Sequence, residues 1–437
     1  MPSEPLPIGP LRLLQQVQLL SSAGQPARAA TALLEGPRLR ALDGEAIELA
    51  ARWGVACEPA EQLLLAPALI DPHSVLEDPL EGRSDTLASL ERASAAAGYG
   101  SVALLPRCRR WRDAAEALQL RWDRPQELLL WGSFSLGGQG EALADHAGQI
   151  AAGAIGVASA AAAPLGLLER GLRLAEMGRR PVLVAPLDPE LRQDGFVREA
   201  VEALRAGWPI DPAVSETVPL QALLALAEAL PDAPLRLMNL STAAAVAQLR
   251  RAVRPLPASV GWWHLLADSG NLDPLAEGWR LEPSLGSPAD REALIAALAE
   301  GLIEAVAVNH VPLDPEEQLL PLDQRRPGLA GYDLVLPLLW QELVLRRGWR
   351  PEALWQALCW GPARFLGLPE PRLECGSCRW LLFDPVASWR PAAPGANPAG
   401  SLAANQPRRG EQISGRVLAT GMELALRGRS AGPGVGP

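Results

Sequence analysis

The chain has 437 residues, 48% of them hydrophobic, and 50 acidic against 40 basic side chains give a formal net charge of -10. That length exceeds one small core and suits a barrel of roughly 250 residues with a smaller lobe. The acidic balance argues against nucleic acid or an anionic membrane as partner, and with no signal-peptide pattern and no apolar run of about 20 residues, a cytoplasmic protein is expected.

Residues 1 to about 65 read as strand-rich. LRLLQQVQLL has strand-like apolar spacing, and TALLEGPRLRALDG reads as strand, glycine turn, strand. LLLAPALID at 63–71 is a continuous apolar run suited to a buried parallel strand. Ser84 or Asp85 is expected to cap the next helix, which Gly98 and Gly100 end. Strands follow at 101–106, 127–135 and 151–159, the last after a helix around 139–150. A helix over 167–178 and a strand over 180–186 precede helices in VREAVEALRAG and LQALLALAEAL. Next come a strand over 234–241, a helix from Ser241 or Thr242, and LPASVGWWHLL as strand into loop. A helix beginning at Asp290, a strand over 302–310, and helices in YDLVLPLLWQELVLRRG and PEALWQALCWGPARFLG complete the alternation.

About eight strand–helix units fit between 63 and 368, which predicts an α/β fold, a (β/α)8 TIM barrel. From 369 strands return, in CRWLLFDP and the GRVLATGMELALRG region, with a Pro/Gly/Ala-rich surface loop at 389–410 between them. The N-terminal segment, 1–62, and the C-terminal segment, 369–437, are expected to join in one small β-lobe beside the barrel of 63–368.

Of the cysteines, Cys57, Cys108, Cys359, Cys375 and Cys378, only the last two form a CxxC. A lone CxxC suits half a zinc site or a redox pair, but no second CxxC or CxxH lies nearby, so these read as reduced thiols. Among fourteen tryptophans, Trp340, Trp355 and Trp360 fall in amphipathic helices and read as core; an exposed group would mark a protein interface.

Seven fragments occur in a meaningful order: Asp71-Pro72-His73-Ser74-Val75-Leu76-Glu77; AAAGYGSVALLP at 95–106; Asn239-Leu240-Ser241-Thr242; Pro283-Ser284-Leu285-Gly286 followed by Asp290-Arg291-Glu292-Ala293-Leu294; Asn309-His310-Val311-Pro312; Gly361-Pro362-Ala363-Arg364; and FDP at 383–385 with NQP and GRV after it. Together they make the chain, from about residue 60 onward, resemble the dihydroorotase branch of the amidohydrolase superfamily. That resemblance implies a metal-dependent cyclic amidohydrolase barrel whose ligands sit at strand ends.

Against that pattern the departures are chemical. His73 matches the first histidine of the family's pair, but its partner position is Val75. The bridging acid would fall within Ser159, Ala160 and Ala161. The later histidines align with Ala185 and Asn239, and the final aspartate, also the general base, with Asn309. Valine and alanine donate nothing to a metal, and asparagine cannot take up a proton at neutral pH. The family's substrate-gripping arginine is Glu77 here, and its asparagine is Arg107. Only four histidines exist: His73, His146, His264 and His310. His73, His310 and Cys108 are the weak candidates for one zinc ion; otherwise His73 and His310 are structural, Asp71 serves a turn or backbone amides, and Ser241-Thr242 caps a helix. The expectation is therefore a catalytically inactive dihydroorotase-like protein without cofactor. The resemblance also implies a partner, aspartate carbamoyltransferase, which some inactive relatives hold in an active assembly; a homo-oligomer stays open. The alternatives are an active, zinc-dependent dihydroorotase or related cyclic amidohydrolase, and a small-molecule sensor using a pocket lined by Arg107, His73 and Asn309.

Overall fold

The computed structural model describes residues 9–120, 126–159, 163–271, 278–321, 324–391, 393 and 400–424. Ala160, Ala161, Trp122, the ends of the chain and part of the 389–410 loop lie outside them.

Eight short parallel strands form the barrel: β1 (Leu69–Ser74), β2 (Tyr99–Leu104), β3 (Glu127–Ser133), β4 (Gly156–Ser159), β5 (Val182–Val184), β6 (Leu235–Leu237), β7 (Ser259–Gly261) and β8 (Ala305–Ala307). The first six pair in chain order in one sheet, and β7 pairs with β8 in a second. A bridge between Leu237 and Ala258 joins the two on one side. On the other, Val75 N–H donates to the His310 carbonyl at 2.8 Å, bringing β8 back to β1. The result is a distorted TIM barrel. Strands of this kind are apolar on both faces because helices cover the outside and side chains fill the inside. Ile70, Ala103, Trp131, Ala158, Leu183 and Ala305 belong to one buried cluster with Phe365, while Val102, Leu104, Val157, Val182 and Val184 belong to the larger cluster with the helices. The alternation is the period-2 signature of the strands. Trp131 is fully buried and its indole N–H reaches the Pro72 carbonyl at 3.0 Å, filling the barrel between β3 and β1.

A separate sheet outside the barrel is built from both ends of the described chain. Leu11–Leu19 runs antiparallel to Arg28–Glu35, which pairs with Arg38–Leu42. Leu64–Pro67 lies parallel to Leu11–Leu19 and antiparallel to Trp380–Trp389, whose other neighbour is Ile413–Thr420.

Several elements differ from expectation. The 63–71 run is two strands, since Leu64–Pro67 belongs to the lobe sheet and Leu69–Ser74 to the barrel. Pro67 lacks the N–H a continuing ladder needs, and its carbonyl accepts from the Trp355 indole at 2.9 Å instead. The strand-rich N-terminal piece contains a helix, Asp43–Trp53, ended by Gly54 in the left-handed region. Thr86, not Ser84 or Asp85, caps Leu87–Ala96, and Ser287, not Asp290, is the boundary of Pro288–Ala299; Asp290 is the far member of its capping box. VREAVEALRAG opens with a two-residue strand, Val197–Arg198, before the helix Val201–Ala206. The strand expected over 151–159 shrinks to β4, because residues up to Ala151 close the helix His146–Ala151. After Thr420 the backbone turns helical at 421–424 rather than staying extended. Among the described residues, no helix is long and apolar enough to cross a membrane.

Candidate functional site

The C-terminal ends of β1, β5, β6 and β8 converge on one cavity. It is lined by Val75, Leu105, Arg107, Ala185, Pro186, Leu187, Met238, Asn239, Leu281, Glu282, Pro283, Asn309, Val311, Pro327, Gly328 and Leu329. Its volume is about 60 Å³, which is small beside the roughly 300–1,000 Å³ of ordinary ligand pockets. Thus Val75, Ala185, Asn239, Asn309 and Arg107 are brought together in a narrow and mostly apolar space.

The histidines are elsewhere. His73 is fully buried and does not line the cavity. Its Nε2 shares a hydrogen bond with Ser259 Oγ at 2.9 Å, and that hydroxyl also accepts the Asn239 N–H at 3.0 Å. Burial pushes the imidazole down to about 3, so it is neutral. His310 Nε2 lies 3.1 Å from Asp85 Oδ2, and Asp85 further accepts from Ser89, Ser401 and the Leu402 N–H. This explains why Asp85 is not a cap: its carboxylate ties the β8 end to the first helix and to a distant loop. Burial alone would raise that carboxyl, but His310 and the two hydroxyls hold it below its ordinary value. Asp71 accepts the Val308 N–H at 3.0 Å and the Tyr332 hydroxyl at 2.6 Å, the structural role expected of it. His264 Nε2 contacts the Pro283 carbonyl at 3.1 Å, and His146 Nε2 the Phe134 carbonyl at 2.7 Å.

A metal needs three or four converging donors. Here His73 Nε2 is bound to Ser259, His310 Nε2 to Asp85, and the Cys108 thiol to the Arg110 carbonyl at 2.6 Å, and the unpartnered Nδ1 atoms of the two histidines have no further donors grouped with them among the described residues. Among the described residues no group of three or more His, Cys, Asp or Glu is placed to hold a metal ion. The cavity's one carboxylate, Glu282, is bound by Arg192 at 2.6 Å. The donor set therefore does not fit the family's metal centre, and Cys375 and Cys378 stand on a surface turn as free thiols.

The two substituted substrate positions touch each other. Arg107 Nη2 is 2.9 Å from Glu77 Oε1, and Arg326 binds the same oxygen while also reaching Glu317 at 2.8 Å. Burial raises the Glu77 carboxyl less than Arg326 and Arg107 lower it, so it stays charged well into the acid range. Arg326 had no sequence signal; only its place before Pro327-Gly328-Leu329, which lines the cavity, reveals it. Asn239 and Asn309 both adopt left-handed backbone, φ 53° and 47°, a conformation asparagine tolerates better than most residues. Asn309 donates weakly to the Glu282 carbonyl at 3.3 Å, whereas Asn239 Oδ1 is buried with no partner. Trp340, Trp355 and Trp360 are core, and none of the thirteen tryptophans among the described residues is exposed.

No family model matches the chain. Relatives do. It is 32% identical to a probable dihydroorotase-like protein of Synechocystis over 92% of this chain and 98% of that one. It is 30% identical to a dihydroorotase of Syntrophobacter fumaroxidans over 71% and 72% of the two chains. Among solved structures, the L-hydantoinase (dihydropyrimidinase) of Arthrobacter aurescens superposes with a TM-score of 0.72 at 17% identity, covering 93% of this chain and 94% of that one, a likeness of fold. With the barrel, the ordered fragments and these relatives together, the chain belongs to the dihydroorotase family of the amidohydrolase superfamily, as a member without an evident catalytic metal cluster among the described residues.

Proposed function

We propose that this chain is a noncatalytic dihydroorotase-like barrel that acts as a structural or regulatory partner in pyrimidine biosynthesis, with aspartate carbamoyltransferase as the protein it holds. The observation that carries the first half is the Glu77–Arg107–Arg326 cluster: the groups at the two substrate positions, Glu77 and Arg107, are spent on each other and on Arg326, beside a cavity of about 60 Å³ that Arg107 lines. An enzyme of this family needs a polarising metal and a base at the mouth, and the side chains at the ligand and base positions there are Val75, Ala185, Asn239 and Asn309, while the one carboxylate lining the cavity, Glu282, is held by Arg192. The partner follows from the family resemblance.

The test joins three readouts on one purified sample: metal content by elemental mass spectrometry, dihydroorotate turnover with zinc supplied, and co-elution with aspartate carbamoyltransferase on size exclusion. Less than stoichiometric metal, no turnover and a shared peak are expected. Near-stoichiometric metal with turnover above a no-protein control would establish the amidohydrolase alternative instead. Separate elution would remove the partner while leaving the inactive barrel. The sensor reading has one observation in its favour, the unpartnered Asn239 Oδ1; the cavity volume restricts any such ligand to a few heavy atoms.

A further inference from the structure

In a chain of net charge -10, residues 107–112 read Arg-Cys-Arg-Arg-Trp-Arg, four arginines with no acid among them. This loop leaves β2 and runs beside the barrel mouth. It is firmly held. The Arg112 guanidinium is 2% exposed and donates to the Leu105 carbonyl; the Arg112 carbonyl accepts the Ser133 N–H at 2.8 Å, and Asp113 accepts the Gly137 N–H at 2.8 Å. The Trp111 ring lies against Gly138, where a Cβ would stand 2.3 Å from it, so the ring's seat requires glycine. The side chains that this frame presents differ in their pairing. Arg107 is bound to Glu77. Arg109, 81% exposed, reaches Asp78 only at 3.6 Å. Arg110 is exposed with no carboxylate partner among the described residues. Glu77, Asp78, Arg107, Cys108, Arg109 and Trp111 wall an open depression of about 410 Å³.

We propose that this arginine loop is a docking surface for an acidic polypeptide segment of a partner protein. The chain itself displays the chemistry. Its own Glu77-Asp78 dipeptide lies along the loop with the Arg109 N–H donating to the Glu77 carbonyl at 2.7 Å, and successive carboxylates meet Arg107 and Arg109. A backbone of the same kind continuing across the depression would bring a carboxylate to the outer face of Arg109, with Trp111 as the apolar flank, and one running past its edge would meet the exposed Arg110 next in the loop. A single small anion is a poorer match, because the arginines are spread along the loop rather than converging on one point. A pre-ordered loop also avoids much of the entropy cost of binding, and unlike charge on an acidic molecule steers the encounter. The inference rests on the reading of the chain as a partner-holding protein, though not on which partner it holds.

The experiment uses the full chain and a fluorescein-labelled twelve-residue peptide of alternating Glu and Ala, followed by anisotropy at low salt. Saturable binding is expected, weakened about tenfold or more in the double variant R109E/R110E, since exposed ion pairs are replaced by repulsion, and retained in R109K/R110K. Both sites are exposed, and an unchanged thermal midpoint checks that the variants fold. No binding, equal binding by the charge-reversed variant, or displacement of the peptide by pyrophosphate at equal concentration overturns the proposal, the last by making the site one for a free anion. Failure here with wild-type co-elution of aspartate carbamoyltransferase intact would leave the proposed function standing. Peptide binding without that co-elution would remove that partner and keep the docking surface.

Discussion

Two regions at the top of the barrel face each other and have opposite character. Along the β1–β8 seam, buried side chains are tied to one another, Asp71 to Val308, Ser74 and Tyr332, and His310 through Nε2 to Asp85, although the Nδ1 atoms of His73 and His310 have no partner among the described residues. Across the cavity, the ends of β5 and β6 offer Ala185, Met238 and Asn239, whose Oδ1 has none either. A buried polar group that closes the barrel is costly to lose, because its partners are left unsatisfied. A side chain whose task was to hold a metal or substrate leaves no such debt. The difference teaches that the fold and the chemistry of this barrel rest on separable residues: the seam keeps ionisable groups, Asp71, Asp85 and His310, whereas the ligand positions other than His73 carry Val75, Ala185, Asn239 and Asn309, none of them ionisable.

The sharpest way to test that separation lies just behind the pocket. Arg198 is buried with Asp211 at 2.9 Å and Glu216 at 3.9 Å, and it donates to Ser215 and Ser241. Arg198→Met leaves two buried carboxylates without their cation. A loss of about 3–5 kcal/mol is expected from chemical denaturation, and a loss under about 1 kcal/mol would mean those carboxylates are already neutral. The direct comparison is next in size. Asp71→Ala strands the Val308 N–H and two hydroxyls, so it should cost about 2–3 kcal/mol. Ala185→Val, which adds two methyls to a cavity wall, should stay within about 1 kcal/mol of the parent in either direction. Equal costs for the two would break the distinction between seam and pocket.

How far these regions can be read from residues alone follows from the kind of contact involved. The strand ends were legible because β5 and β6 are short apolar runs bounded by turn residues, and because order along the chain fixes which ends are neighbours. Thus Val75, Ala185, Asn239 and Asn309, read from the sequence as strand-end positions, line one cavity. What could not be read depends on partners far away in sequence. Asp85 looks like a helix cap until His310 and Ser401 arrive beside it. Arg326 has no motif, and its role exists only because the fold brings Glu77, far away in the chain, against it. The change of sheet at Pro67 is invisible too, since a strand buried in the lobe and one buried in the barrel share the same apolar pattern.

A smaller effect reports on His73 itself. Its folded value of about 3 lies below the ordinary 6.5, so the unfolded chain binds a proton that the folded chain refuses between those values. His73 therefore contributes stability that is complete above about pH 6.5 and falls as the pH drops toward 3, by at most about 1.4 kcal/mol per pH unit. The stability difference between wild type and His73→Asn, measured by urea titration from pH 7 to 4, should slope accordingly. A pH-independent difference would show that this imidazole is not a desolvated neutral group.

The smallest expected change is the most informative about the pocket. Val75→His restores the missing member of the first-strand pair at a position that is 3% exposed and lines the cavity. One regained imidazole is still not a site. Its neighbour His73 has its Nε2 on Ser259, and Ala185, Asn239 and Asn309 supply no anionic or imidazole donor. Zinc held by fewer than three protein ligands is weakly bound, so metal content after dialysis should be indistinguishable from wild type. Stoichiometric zinc in this variant would mean that the backbone still presents a complete cage needing only one donor, and the polar seam would then have been preserving an active-site geometry as well as a fold.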